Sequence, residues 1–268
     1  MSDRLTSPGT ILKRIRDIRP VVHSITNYVV MNSTANALLA MGASPIMAHA
    51  PEELEDLSII SHALVINIGT LSSSWIASMH KACRIAKESG KPIILDPVGA
   101  GASKLRTQTA QDLVALYTPT VVRGNASEIM SLSPGGGSTR GVDAMHSVDD
   151  AVQEARSLAG TLGTVVAATG ERDLVTDGAR SFFVFGGDPM MGLVTGTGCA
   201  ASVIVAAFVS MEKDAVAATT AALAFFGLAA QKAIPKSQGP GSFWMHTLDA
   251  LYSVEPEELD AKARIVAA

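Results

Sequence analysis

The chain has 268 residues, 47% of them hydrophobic, and a formal net charge of −4, which is ordinary for a soluble α/β protein with one large domain. The slightly acidic balance, without a basic run, argues against nucleic acid or an anionic membrane surface as a partner. Cys83 and Cys199 lack metal-ligand spacing, so we expect neither a zinc site nor a disulfide framework, and a reducing cytoplasm fits best.

The first part of the chain alternates helical segments with short apolar runs. Helices are predicted over 7–18, 29–41, 51–61 and 74–89, and Gly42 and Gly90 end two of them. Strands are predicted over 21–25, 44–48, 63–68 and 92–95. The charged helical pattern at the N-terminus does not predict a signal peptide.

The same alternation continues through the second half. Helices are predicted over 110–116, 127–132 and 147–159, strands over 120–122 and 164–168, and a flexible loop over 133–141. Residues 174–176 and 181–185 predict a hairpin around Asp177-Gly178. Beyond it we expect only helices, including an uncharged one over 215–230. That helix approaches the ~20 residues of a membrane span, but its alanines and threonines favour a buried helix.

Strands that alternate with helices predict a mostly parallel central sheet covered by helices on both faces, in one domain that spans 1–268. Ligands of such sheets bind beyond the carboxyl ends of the strands. The polar residues that end the apolar runs are Asn67, Asp96, Arg123 and Thr169. We therefore expect the functional site to lie among them.

Two of these strand ends have alternative interpretations. Asp96 precedes a proline and a glycine turn, where a carboxylate binds Mg²⁺, usually through water, or else caps a turn or helix. Asn125 and Glu128 have the spacing of a helix capping box, which needs no function. Arg123 before a glycine instead favours an ATP–Mg site, because an arginine beside a carboxylate and an anion site suits phosphate.

A glycine-rich turn precedes the apolar run that starts at Ala200. Gly196 and Gly198 favour a tight turn into a helix, whose first free N–H groups form an anion site. With Ala201 they also fit a looser dinucleotide fingerprint, but no strand is predicted after the helix. A plain glycine-rich connection is the third alternative.

Three histidines, His23, His62 and His80, are expected to be surface or capping residues rather than ligands. Cys199 is the reactive side chain of the glycine-rich turn. At a helix N-terminus its pKa is expected to fall, which favours a modest base, or else it orients a hydroxyl.

Five stretches together resemble one family. They are residues 23–32 (HSITNYVVMN), 42–47 (GASPIM), 95–100 (LDPVGA), 123–129 (RGNASEI) and 196–199 (GTGC). In this order and at this spacing, over nearly the whole chain, they closely resemble the hydroxyethylthiazole kinases.

The resemblance implies a ribokinase-like α/β fold and ATP-dependent phosphorylation of 4-methyl-5-(2-hydroxyethyl)thiazole, a thiamine salvage step. It also implies a homotrimer with active sites between subunits. It further implies roles for individual residues. Met47 contacts the thiazole through its backbone, with Asn27 nearby and Gly196 on the substrate side. Arg123 and Thr169 bind ATP, while Asp96 and Glu128 serve the Mg²⁺ and phosphate region.

The position of Cys199 departs from the wider ribokinase-like superfamily, where an aspartate usually acts as base. Phosphoryl transfer has a loose transition state, so positioning and charge neutralisation supply most of the rate and a strong base is optional. We therefore expect Gly198 and Cys199 to form the catalytic turn, with main-chain N–H donors. The alternatives are a nicotinamide-dependent oxidoreductase, a non-catalytic nucleotide- or thiazole-binding protein, and a kinase of a pyrimidine or pyridine alcohol.

Overall fold

The computed structural model describes residues 5–133 and 148–268, so most of the predicted loop at 133–141 lies outside the described residues. Within them, one sheet contains nine strands. The strands are β1 (Val21–Ile25), β2 (Ser44–Met47), β3 (Ala63–Asn67), β4 (Ile93–Asp96), β5 (Val121–Asn125), β6 (Val165–Thr169), β7 (Asp173–Thr176), β8 (Ser181–Phe185) and β9 (Arg264–Ala267).

The sheet order is β2-β1-β3-β4-β5-β6-β7-β8-β9. The first six strands in this order are parallel, and β7, β8 and β9 add on antiparallel. The predicted mostly parallel sheet and the hairpin are therefore confirmed.

The expectation of helices alone after the hairpin is wrong, because β9 pairs antiparallel with β8, with Phe182 opposite Ala267. Residues 264–267 form too short a run to show a strand period. They become a strand by pairing with an edge that β8 leaves open.

The helices form a layer on each face of the sheet. They are α1 (Pro8–Ile18), α2 (Met31–Met41), α3 (Leu54–Ile60), α4 (Ser73–Glu88), α5 (Lys104–Tyr117), α6 (Ala126–Met130), α7 (Val148–Leu162), α8 (Thr197–Val209), α9 (Ala215–Ala233), α10 (Pro240–Ser253) and α11 (Pro256–Lys262). One buried cluster joins the sheet to α1, α2 and α8–α11, and a second joins the other face to α3–α7. Helices therefore cover both faces, as expected.

Helix α8 is the central helix of its layer. It packs against β1, β3, β4 and α9, and the rings of Phe208 and Phe225 lie 5.7 Å apart between α8 and α9. Residues Ala215–Lys236 are long and apolar enough to cross a membrane, yet 83% of their most apolar window is buried inside the protein. This is the buried core helix that the sequence predicted. Its packing partner α8 begins at the carboxyl end of the parallel strands.

Candidate active site

Strand alternation places the polar strand-end residues on one face of the sheet. Side chains two residues apart share a face. Each strand-end residue lies two positions after a core residue of the cluster that contains α8; these core residues are Val65, Ile94, Val121 and Ala167. Asn67, Asp96, Arg123 and Thr169 therefore all lie on the face of the sheet that α8 covers.

Asp96 lies at the centre of a buried polar network and is 1% exposed. Its Oδ2 accepts hydrogen bonds from Ser202 Oγ (2.8 Å), Asn67 Nδ2 (2.9 Å) and Arg123 Nη1 (3.4 Å). Its Oδ1 is buried without a partner among the described residues. Burial raises the pKa of Asp96, while the charge of Arg123 and the hydrogen bonds from Ser202 and Asn67 lower it. All its donors are side chains, so in the described structure Asp96 is not a helix or turn cap.

Arg123 connects this network to the start of α8. Its Nη2 donates to Thr169 Oγ1 at 2.6 Å, and that hydroxyl donates to Gly124 O at 3.2 Å. A Cβ atom on Gly198 would lie only 3.0 Å from both Nη1 and Nη2, so glycine at this position lets the guanidinium approach the helix. Arg123 Nε is buried and has no partner in the described part of the chain.

The start of α8 is the predicted glycine turn. Gly196 is the N-cap with φ of 87°, and a Cβ there would lie 2.7 Å from Val30 Cγ1. The first hydrogen bond of the helix runs from Ala200 N to Gly196 O at 2.8 Å. The N–H groups of Thr197, Gly198 and Cys199 precede it and point out of the helix end, where they favour an anion.

The dinucleotide alternative fails because the segment after this turn is entirely helical. Residues 197–233 form α8 and α9 with no strand between them, so the required βαβ unit is missing from this segment. A dinucleotide site also needs an acidic residue after the next strand. Asp214 lies at about that distance from the turn, but it caps α9 by accepting hydrogen bonds from Val216 N and Ala217 N.

Cys199 has a neutral thiol rather than the activated one that a helix N-terminus predicts. Its Sγ accepts hydrogen bonds from Asn67 Nδ2 at 3.2 Å and Asn27 Nδ2 at 3.7 Å. Burial, and then the charge of Asp96, raise the pKa of Cys199 to about 11. The expected lowering is therefore wrong, because burial and a neighbouring carboxylate outweigh the helix end. A thiol that stays protonated at neutral pH is a poor base.

The predicted acceptor-side residues lie in different places. Asn27 Nδ2 donates to Asn67 Oδ1 at 2.8 Å, which joins Asn27 to the Asp96 network. Met47 ends the edge strand β2 opposite Ser24, and it is outside that hydrogen-bond network. Asn27 therefore contacts Cys199 directly. Met47 lies at the carboxyl end of β2, which is separated from β3 by β1.

The histidines differ from one another. His23 is buried within β1, with its Nε2 hydrogen-bonded to Ala48 O at 2.9 Å, so the expected surface or capping role is wrong for it. Alternation along β1 places His23 on the sheet face opposite Val22, the face that Ile25 shares with the second buried cluster. His62 Nδ1 accepts from Val21 N at 3.1 Å, and His80 Nδ1 lies 3.1 Å from the Tyr117 hydroxyl.

Glu128 forms the capping box that its spacing predicted. Its N–H donates to Asn125 Oδ1 (2.9 Å), and its Oε2 accepts from Asn125 N (2.9 Å). Its Oε1 accepts from Gly99 N at 2.8 Å. Glu128 makes no hydrogen bond to Asp96, but its charge contributes to the raised pKa of Asp96. The predicted role of Glu128 in the metal and phosphate region is therefore supported here only by its proximity to Asp96.

A cleft of about 500 Å³ opens beside Arg123, Thr169 and Gly198. This volume is in the range of small-molecule sites. Its lining also includes glycines and apolar side chains that sequence patterns did not single out: Gly186, Gly187, Met191, Leu223, Phe226 and Gly227. The aperiodic segment before α8 and the inner face of α9 supply them.

Two polar residues of the site were also missed. Ser202 lies four positions after Gly198, the spacing of one helix face, and a hydroxyl in an otherwise apolar helix was the available signal. Asp173 lines the cleft. Burial raises its pKa to about 6, although the hydrogen bond from Gly170 N and the charge of Arg123 both lower it.

The donor set suits a magnesium ion bound together with a nucleotide. Within residues 5–133 and 148–268 no three His, Cys, Asp or Glu side chains converge as a metal cage. Mg²⁺ bound with substrate phosphates needs only one or two carboxylates and keeps several waters. The unpartnered Oδ1 of Asp96 is a free carboxylate oxygen of that kind.

Comparison with known proteins places the chain in a family. Residues 12–257 match the Hydroxyethylthiazole kinase family. A hydroxyethylthiazole kinase from Desulfotalea psychrophila is 53% identical over 265 residues, 99% of this chain and 97% of that protein. The solved hydroxyethylthiazole kinase of Pyrococcus horikoshii superposes with a TM-score of 0.89 at 45% identity, covering 97% of this chain and 98% of that one.

A more distant likeness concerns the fold alone. A ribokinase-like superfamily protein from Enterococcus faecalis superposes with a TM-score of 0.64 at 14% identity, covering 94% of this chain and 89% of that chain. The fold is therefore ribokinase-like, and the chain belongs to the hydroxyethylthiazole kinase family.

Proposed function

We propose that the chain transfers the terminal phosphoryl group of ATP to the hydroxyl of 4-methyl-5-(2-hydroxyethyl)thiazole, the thiamine salvage reaction of hydroxyethylthiazole kinase (EC 2.7.1.50). Family membership supports the reaction and the substrate. The observation that carries the proposal is the position of Arg123. It pairs with the buried carboxylate of Asp96 and also lies against the start of α8.

On the donor side, ATP occupies the cleft beside Arg123 and Thr169. Arg123 and the N–H groups at the start of α8 neutralise charge on the transferring phosphoryl group. Preorganised donors of this kind contribute ~3 kcal/mol each to the transition state. Thr169 keeps the guanidinium in place through the hydrogen bond between Nη2 and Oγ1.

On the acceptor side, the backbone of Met47, together with Asn27 and Gly196, binds the thiazole alcohol. Cys199 orients the hydroxyl as a neutral thiol, since burial and Asp96 raise its pKa to about 11. No strong base is required, because the hydroxyl loses its proton late in a loose transition state. Gly198 contributes through its N–H and through the space that it leaves for Arg123.

Asp96 and Glu128 are the residues that we assign to Mg²⁺. When bound, the ion neutralises charge on the ATP phosphates and holds them in position. The support from this chain is the free, buried Oδ1 of Asp96, an oxygen whose isolation costs free energy until a ligand or water reaches it.

A substrate panel tests the proposal. We expect ATP consumption that depends on the thiazole alcohol, with a higher kcat/KM than for a pyrimidine or a pyridine alcohol. A preference for one of those alcohols would identify a different vitamin-precursor kinase. Binding of ATP and of the thiazole without turnover would identify a non-catalytic binding protein.

We also propose a cytoplasmic homotrimer in which each 1–268 chain forms one kinase domain and the active sites lie between subunits. The support from this chain is exposed apolar surface beside the acceptor side. Tyr28 and Val29, next to Asn27, are 66% and 65% exposed. Sedimentation at micromolar concentration tests this, and a monomer would contradict it.

A further inference from the structure

Asn67 is the last residue of β3 and is 1% exposed. It lies between Asp96 on the phosphoryl side of the site and Asn27 on the acceptor side. Its Nδ2 donates to Asp96 Oδ2 at 2.9 Å and to Cys199 Sγ at 3.2 Å. Its Oδ1 accepts from Asn27 Nδ2 at 2.8 Å and from Gly69 N at 3.0 Å. One amide group therefore contacts the carboxylate, the thiol and the acceptor-side asparagine.

The chemistry of these partners requires an amide at this position. The backbone N–H of Gly69 only donates, and an ionised Asp96 only accepts, so the side chain must present an acceptor on one side and a donor on the other. The same two partners determine which end of the amide is Oδ1. An aspartate lacks the donor, and a leucine of similar shape lacks both groups.

The packing around the amide leaves little room for other arrangements. A Cβ atom on Gly69 would lie 2.7 Å from Asn27 Nδ2, so the loop after β3 presses directly on Asn27. On the other side, Asn67 and Ser202 both bond the same oxygen of Asp96 and leave Oδ1 buried without a partner among the described residues. Asn67 therefore bonds one oxygen of Asp96 and leaves the other for a ligand.

We propose that Asn67 is a positioning residue that holds the Asp96 carboxylate and the Cys199 thiol in one fixed relation, and so couples the phosphoryl side of the site to the acceptor side. This inference rests on the proposed kinase function. Asn67 does not line the nucleotide cleft. Its loss therefore affects the chemical step rather than the affinity for ATP.

The first test is a kinetic comparison of Asn67→Leu and Asn67→Ser. We expect kcat to fall by about 10²-fold, because small misplacements of reacting groups have effects of that size. KM for ATP should stay within about threefold, since uniform binding of ATP is untouched. The control is Asn36→Leu, which removes an exposed amide–amide hydrogen bond within α2. Unchanged kcat, or a rise in KM without a fall in kcat, would overturn the inference.

A double-mutant cycle with Cys199→Ala then separates positioning from a general loss of structure. If Asn67 acts partly through the thiol, Asn67→Ser should cost at least about threefold less in kcat in the Cys199→Ala background than in the wild type. An equal factor in both backgrounds would contradict the coupling. Asn67→Ser is the variant to use if Asn67→Leu does not fold, because its smaller side chain leaves room for water to satisfy the buried polar groups. Its hydroxyl is one bond shorter than the amide and does not hold both Asp96 and Cys199, so the positioning is still lost.

A measurement without turnover keeps the inference separate from the proposed function. Iodoacetamide alkylation of Cys199 in the ligand-free protein reports the surroundings of the thiol, since Cys83 is only 1% exposed. We expect Asn67→Ser to change this rate by at least about threefold, while Asn36→Leu does not. An unchanged rate overturns the positioning role even if the wild type phosphorylates the thiazole. A changed rate supports it even if the substrate is another alcohol.

Discussion

Asp96 at the end of β4 and Glu128 in α6 are two carboxylates expected to serve one phosphate region, yet their surroundings differ. Asp96 is buried, and three side chains bond one of its oxygens while the other has no partner among the described residues. Glu128 is partly exposed, and backbone N–H groups bond both of its oxygens. Both oxygens of Glu128 are therefore occupied by hydrogen bonds that stabilise the fold, whereas one oxygen of Asp96 is left to bind a ligand.

Replacing Asp96 by asparagine has the largest expected effect on turnover. Asp96→Asn keeps the shape but removes the charge, so kcat should fall by about 10³-fold, as for loss of a preorganised electrostatic group. Thermal stability should change little, because burial already disfavours the ionised carboxylate while Arg123 favours it. The kinetic constants and the melting temperature check this.

A matched control for Asp96→Asn is Asp17→Asn, which removes an exposed partner of Lys13. This control should leave kcat unchanged, since exposed ion pairs contribute little. If Asp96→Asn lowered the stability strongly and kcat only in proportion to the unfolded fraction, the contrast with Glu128 would disappear.

Replacing Glu128 by glutamine should lower stability more and turnover less than replacing Asp96 by asparagine. Glu128→Gln leaves a single acceptor oxygen for the two backbone N–H groups of Gly99 and Asn125, so one hydrogen bond is lost, and we expect a loss of about 1 kcal/mol in the free energy of unfolding. We expect kcat to fall by about tenfold or less, because Asp96 still carries the phosphate-side charge. Urea denaturation and steady-state kinetics provide the two numbers. A kinetic loss equal to that of Asp96→Asn would make the two carboxylates equivalent and the contrast wrong.

Asp173 extends the comparison to a third carboxylate, whose titration makes stability depend on pH. Burial raises its pKa from 3.8 to about 6, so the folded protein holds this proton more tightly than the unfolded chain. Its contribution to stability is therefore present below about pH 4 and is lost as the pH rises through about 6.

Asp173→Asn cannot titrate but keeps an acceptor for Gly170 N. The difference in the free energy of unfolding between the variant and the wild type should be about 2 kcal/mol larger at pH 8 than at pH 4.5, because that part of the effect of the raised pKa lies between these two pH values. Denaturation at the two pH values measures this change. If the free energies of unfolding of the wild type and Asp173→Asn differed by the same amount at both pH values, the pKa of Asp173 would not be raised.

The sequence predicted the sheet and the strand ends at which the candidate site lies, because both arise from local patterns. Each of four apolar runs ends at a polar residue (Asn67, Asp96, Arg123 or Thr169), and the parallel sheet brings these residues together. The boundaries were less accurate. Helix α5 begins at Lys104 rather than 110, because Ser103 caps it by accepting a hydrogen bond from Arg106 N.

The features that the sequence did not predict depend on tertiary contacts. The pKa of Cys199 depends on burial and on Asp96, which is distant in the chain, and a helix-start rule includes neither. Ser202 bonds an oxygen that belongs to another element, and β9 exists only because β8 leaves an edge. The family motifs supplied Met47, for which no hydrogen bond or pattern in the described part of the chain indicates a role.

The most direct test compares Gly198→Val with Cys199→Ala, because we propose that Arg123 and main-chain N–H groups, rather than a thiol base, stabilise the transferring phosphoryl group. Cys199→Ala should lose about 10²-fold or less in kcat, since it removes only an orienting group.

Gly198→Val should lose more, because its Cβ would lie 3.0 Å from both terminal nitrogens of Arg123 and displace the guanidinium from the helix start. The measurement is kcat for thiazole-dependent ATP consumption by both folded, ATP-binding variants. We expect Gly198→Val to have the lower kcat. Abolished turnover in Cys199→Ala with an active Gly198→Val would instead make the thiol the catalytic centre, and would contradict stabilisation by Arg123 and the main-chain N–H groups.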